Sequence, residues 1–196
     1  MHKGRVEAFS DGVIAILITI MVLEMKAPHG ADFAALAGIW PVFLSYVLSF
    51  VYIGIYWNNH HHMMQAVRHI DGRVLWANLH LLFWLSLVPF VTAWMGENHF
   101  APLTVAVYGV VLLAAGAAYG LLVTALRCLH GPETAFARAV GSGLKEKISV
   151  ATYAVAIGLA FVSHWAALAL YVAVAILWLA PDRRFEKLLR EETDAG

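Results

Sequence analysis

Apolar runs long enough to sit in a bilayer recur along this chain, at residues 5–26, 34–57, 74–95, 102–126, 148–163 and 165–181. A hydrocarbon core about 30 Å thick is crossed by about 20 apolar residues in a helix, whose backbone satisfies its own hydrogen bonds. With 61% hydrophobic and 13% charged residues, the balance lies outside that of a soluble domain. The expected fold is therefore an all-α integral membrane protein with six transmembrane helices. The last two runs are short, and only Ser163 and His164 mark a turn between them. Merged, they would make a helix of about 50 Å, too long for the bilayer.

Lys3 and Arg5 precede an apolar run as in a secretory signal, but Glu7 and Asp11 stand where such signals lack acids, and further spans follow. One cysteine, Cys128, leaves no intramolecular disulfide, and nothing resembles paired metal-binding cysteines or a nucleic-acid motif. Lysine and arginine accumulate on cytoplasmic loops. With an inward N-terminus and six spans, Lys3, Arg5, Arg68, Arg73, Arg127, Arg138, Lys145, Lys147, Arg183, Arg184, Lys187 and Arg190 all face the cytoplasm, and Lys26 alone faces outward. Both termini are expected inside a cell-membrane protein. Residues 1–181 read as one six-helix domain and 182–196 as a charged cytoplasmic tail, helical by its spacing. Gly116 and Gly120 form a small-xxx-small face on the fourth span, and Pro41 and Pro89 are candidate kinks.

Asp11 is the costly residue. Counted back from Lys26 at about 1.5 Å per residue, it lies roughly 22 Å away, inside the opposite boundary of the core. An intramembrane charge calls for partners. Asn58, Asn59 and His60 close the second span, and Asn78 and His80 lie one to two turns into the third, near the same depth. The expectation is a polar layer in which Ser10 and Asp11 bond to amide and imidazole donors of those helices. Arg5 lies six residues before Asp11, on another helix face, and either reaches a neighbouring helix or subunit, stacks on Phe9, or anchors the interface. Three consecutive histidines, His60 to His62, point about 100° apart and suit a helix end or loop better than one metal ion. No acid pair, nucleophile elbow or zinc motif suggests an enzyme.

Beyond Asp11, Gly12, Ile16, Thr19, Ile20, Leu23 and Ala27 recur at helical spacing. Such a stripe by itself equally describes a side facing lipid or another helix. RVEAFSDG, however, carries R-x-x-x-F-S-D at the head of the first span, with Arg5, Phe9, Ser10 and Asp11 at its fixed positions. Together with YWNNHHHMM ending the second span and WANLHLLFWLSLVPFVTAWMG in the third, this resembles the transmembrane protein 175 family of potassium channels, in its prokaryotic form.

The resemblance implies a homotetramer whose first helices surround a cation pathway, with no carbonyl-lined filter loop and no cofactor. It implies a hydrophobic constriction at Ile16, Ile20 and Leu23 and a hydroxyl ring at Thr19 contributing to selectivity. Ala15 stands where animal members carry serine, which implies weak to moderate rather than strong preference for K+ over Na+. Four copies of one helix can enclose a lumen by cyclic symmetry, and apolar rings gate by dewetting. Glu24 near the outer mouth is placed to concentrate cations, or serves as an ordinary interfacial acid. The alternatives are a proton-permeable channel, with His80 as the titrating group, and a secondary transporter with coupled flux.

Overall fold

The computed structural model describes residues 3–67, 69–131, 134 and 143–179. These form α1 (Gly4–Leu23), α2 (Phe33–Gly38), α3 (Trp40–Gln65), α4 (Gly72–Ser86), α5 (Val88–Glu97), α6 (Pro102–His130), α7 (Leu144–Leu159) and α8 (His164–Leu179). The expected tail 182–196 and the cations Arg68, Arg138, Arg183, Arg184, Lys187 and Arg190 lie outside the described residues.

Four helical stretches are long and apolar enough to cross a membrane: α1, α3, α4 with α5, and α6. The last two expected spans are present as α7 and α8, shifted toward the N-terminus. At 16 residues each they reach about 24 Å, short of a full hydrocarbon core. The turn between them falls at Ser163, whose backbone N–H donates to Leu159 O at 2.7 Å.

The second apolar run divides. Asp32 accepts from Ala35 N at 2.8 Å and caps the six-residue α2, while Pro41 starts α3 instead of kinking it, because proline suits a first helical turn. α3 then continues through the histidine run to Gln65. The run is thus helical rather than a loop, because His60, Met63 and Met64 are buried and their packing holds the last turns in place. Pro89 does interrupt its span: lacking an N–H, it cannot bond Leu85 O, and the helix breaks at Leu87 between α4 and α5.

Two ends of the bundle are chemically distinct. At one, Lys3 Nζ donates to Met64 O and Gln65 O at 3.0 and 3.3 Å, tying the start of α1 to the end of α3, and the His69 and His130 rings lie 4.8 Å apart. At the other, Trp40, Phe100 and Trp165 cluster with centroids 5.4 to 6.4 Å apart, joining the starts of α3 and α8 to the α5–α6 turn. That turn is tight, with His99 and Phe100 at φ of 51° and 59°.

α6 is the central packing element, in contact with α4, α5, α7 and α8. Its buried face includes Val105, Tyr108, Leu112, Ala115, Leu122 and Leu126. Gly109 is needed there: a Cβ at this position would collide with Tyr171 Oη, which itself donates to Val105 O at 3.2 Å. Gly96 plays the same part between α5 and α3, where a Cβ would come within 2.7 Å of Val42 Cα. The small-xxx-small pair Gly116 and Gly120 makes no such approach, since a Cβ at Gly116 would be in ordinary contact and one at Gly120 would meet nothing within 4 Å. Buried hydroxyls stitch the core: Thr92 Oγ1 donates to Ser49 Oγ at 2.6 Å, Ser49 and Tyr108 hydroxyls lie 3.0 Å apart, and Tyr52 Oη donates to Tyr171 O at 2.6 Å.

Candidate functional site

α1 packs on α3, α4 and α5 through one narrow face, with Ser10, Ile14, Leu17 and Met21 buried at intervals of three and four residues. At 100° per residue, Gly12, Ile16, Thr19, Ile20 and Leu23 centre about 145° around the helix from that face. All five are exposed: Ile16 at 57%, Ile20 at 37% and Leu23 at 77%, with Gly12 and Thr19 in the same class. In a bilayer lipid tails are as apolar as these side chains, so the exposed stripe is able to face lipid or to meet another copy of the chain, and close packing rather than escape from water would hold such a contact. Thr19 Oγ1 donates to Ile16 O at 2.8 Å. Its proton is used along the helix, leaving the oxygen lone pairs free as acceptors.

Arg5 and Phe9 are exposed on the same side of α1, Phe9 at 54%. Among the described residues Arg5 has neither an ion-pair partner nor a ring partner, so the stack on Phe9 does not form within the chain. Glu24 caps the far end of α1 and is exposed.

Ser10, Asn78 and His60 meet in a buried chain across three helices. Asn78 Nδ2 donates to Ser10 Oγ at 2.9 Å, Ser10 Oγ donates to Val6 O at 2.8 Å, and His60 Nε2 lies 2.8 Å from Asn78 Oδ1. With the asparagine oxygen as acceptor, His60 Nε2 carries the proton. These three residues are at most 1% exposed, where an unpaired polar group is costly.

The other residues placed in the polar layer lie apart from that chain. Asp11 accepts from Trp57 Nε1 at 3.0 Å, not from an amide or imidazole, because it lies about 100° around the helix from Ser10 and faces α3 one turn earlier. Asn59 Nδ2 donates to its own helix at Ile55 O, 2.8 Å. Asn58 is half-buried. His80 is exposed and accepts from Trp84 Nε1 at 3.0 Å on the same helix, since it lies about 200° from Asn78.

Two contacts were missed from sequence, Trp57 with Asp11 and Glu7 with His61, whose Oε1 and Nδ1 are 3.7 Å apart. Trp57 reads as one more apolar residue, although its indole N–H is a donor needing a partner when packed. His61 stacks on Trp57 with centroids 5.7 Å apart, so one aromatic pair on α3 reaches both acids of α1.

A family model described as endosomal/lysosomal potassium channel TMEM175 matches residues 5–89, the segment that carries this cluster. A potassium channel of Chryseobacterium sp. (strain P1-3) is 50% identical over 191 residues, 97% of this chain and 100% of that one. The crystal structure of a lysosomal potassium-selective channel TMEM175 homolog from Chamaesiphon minutus superposes with a TM-score of 0.80 at 30% identity, covering 92% of this chain and 97% of that one. The Homo sapiens endosomal/lysosomal proton channel TMEM175 is 38% identical over 80 residues, 35% of this chain and 16% of that one.

Proposed function

Because the chain belongs to the TMEM175 family of ion channels, and so is a channel rather than an enzyme, we propose that it forms a homotetrameric potassium-permeable channel in the cell membrane, with α1 lining a central pore. The observation that carries this reading is the two-faced first helix. One side is locked into the bundle by Ser10, Ile14, Leu17 and Met21, and the other leaves Ile16, Ile20 and Leu23 exposed among the described residues. Four such faces brought together by rotational symmetry bury that surface and enclose a passage.

In that arrangement Ile16, Ile20 and Leu23 form apolar rings. When the rings are close, the passage dewets and ions stop; widened slightly, it fills and conducts. Thr19, its proton already committed to Ile16 O, offers oxygens that replace part of a cation's hydration shell. With Ala15 adding no second hydroxyl to the stripe, the preference for K+ over Na+ in this reading is weak to moderate. Glu24 sits at a helix C-terminus, where an acid opposes the macrodipole and gains nothing for the helix, so its placement suits drawing cations to the mouth.

Six crossings and cytoplasmic termini fit the two distinct ends. The basic end, with Lys3, Arg5, Arg73, Arg127, Lys145 and Lys147 at helix termini, is the cytoplasmic one, and the Trp40–Phe100–Trp165 cluster is an interfacial aromatic belt on the other side. α7 and α8 run between the same two levels: Trp165 joins the aromatic end, while Lys145 Nζ lies 5.7 Å from the Trp178 ring centroid near the basic end. A bilayer thinned locally or a tilted neighbour accommodates their short length.

The deciding experiment reconstitutes the purified chain in liposomes and compares K+ with Na+ flux while determining oligomeric mass. Flux of K+ exceeding Na+ from particles of four chains is the expected result; a monomer, or the absence of flux, removes the reading. Proton permeation is the second reading, favoured by the human relative named a proton channel. Dissipation of a pH gradient without K+ distinguishes it.

A further inference from the structure

A cleft opens among α3, α6, α7 and α8, with no wall from α1; it takes in about 470 Å³ of unfilled space, much of it the open solvent of its mouth, over a small enclosed floor. Its walls are aromatic: Tyr56, Tyr119, Tyr153 and Trp178, with Gly116 leaving a gap between Tyr56 and Tyr153. The Tyr56 and Tyr119 rings meet edge to face at 6.2 Å, as do those of Tyr119 and Trp178, so ring faces as well as edges border the space.

The polar atoms of the wall are mostly spent. Tyr153 Oη donates to Tyr52 Oη at 3.3 Å, Ser149 Oγ donates to Lys145 O and accepts from Trp178 Nε1, both at 2.8 Å, and Asn59 bonds its own helix. Glu146 is different. Its carboxylate borders the cleft half-buried and, among the described residues, has neither a hydrogen-bond nor an ion-pair partner. A pocket of aromatic faces with one unspent anion at its rim selects a cation with an apolar body. The chain itself shows that the rim accepts an ammonium, since Lys145 Nζ rests over the Trp178 ring.

We propose that this cleft is a binding site for small hydrophobic amines, with the ammonium at Glu146 and the apolar body between Tyr56, Tyr119 and Tyr153. The site stands apart from α1 and does not depend on how the pore is built. A neutral molecule of the same shape keeps the ring contacts and loses the ion pair. A residue larger than alanine at 116 fills the gap, because a Cβ there already reaches ordinary contact, 3.8 Å, with both Tyr153 and Tyr56.

The test uses the full chain in nanodiscs of zwitterionic lipid, with ¹⁹F line broadening of 4-fluorobenzylamine as the readout, 4-fluorobenzyl alcohol as neutral counterpart and empty nanodiscs as baseline. Saturable broadening by the wild-type chain above baseline is expected. Glu146→Gln should weaken the amine about fivefold, the worth of a partly exposed ion pair, and leave the alcohol unchanged. Gly116→Leu should remove both while Gly116→Ala keeps both. Broadening no greater than that of empty nanodiscs shows partition into lipid only and overturns the site. Equal amine affinity in Glu146→Gln, or saturable binding persisting in Gly116→Leu, overturns it as well.

Discussion

Asn78 is the residue on which the contact between α1 and its neighbours turns, since its amide gives to Ser10 and its oxygen faces His60 Nε2. Asn78→Leu strands both partners in an apolar setting, and the expected loss is about 1–3 kcal/mol, read as a lower thermal midpoint of the purified assembly. Trp57→Phe keeps a ring against His61 and removes only the bond to Asp11 Oδ1, so it should cost about 1 kcal/mol and less than Asn78→Leu in the same assay. A reversed order would mean that the half-buried acid, not the buried amide, anchors the helix. Depth along the helices was enough to bring Ser10, Asn78 and His60 into one layer from sequence. It could not separate them from His80, because depth says nothing of rotation about the axis.

At the scale of elements, close approach is set by Gly109 and Gly96, and the glycine pair at 116 and 120 leaves space unused. Gly109→Ala drives a methyl into the Tyr171 hydroxyl and should destabilise by several kcal/mol, with partial recovery when Tyr171→Phe removes the oxygen; Gly120→Ala should be neutral or mildly stabilising. Thermal midpoints of the four chains check both statements. A small-xxx-small pattern marks where backbones are able to meet. Which glycine they meet at depends on the large residue opposite, here Tyr171 on a helix more than sixty positions away.

At the scale of the whole molecule the exposed stripe of α1 carries two predictions. Ile16→Ser places hydroxyls in an apolar ring and should raise K+ leak from liposomes severalfold, with unchanged flux counting against a hydrophobic gate. Thr19→Val keeps the shape and removes the oxygen, and should lower the K+ to Na+ permeability ratio measured from reversal potentials. Both changes fall on exposed positions of the bundle, so monomer folding should be little affected.

The apolar runs and their loop charges determined by themselves that this chain is helical and membrane-embedded, because hydrocarbon tolerates only backbone that satisfies its own hydrogen bonds. The R-x-x-x-F-S-D signature likewise pointed to the family before any coordinates. Only the tertiary structure decided that α3 runs through the histidines, that the third span breaks at Leu87, that Asp11 pairs with an indole, and which side of α1 is left uncovered. Each depends on the rotation of one helix against another. That rotation is set by side chains distant in the chain, and on helices apolar nearly all round, local sequence leaves it open.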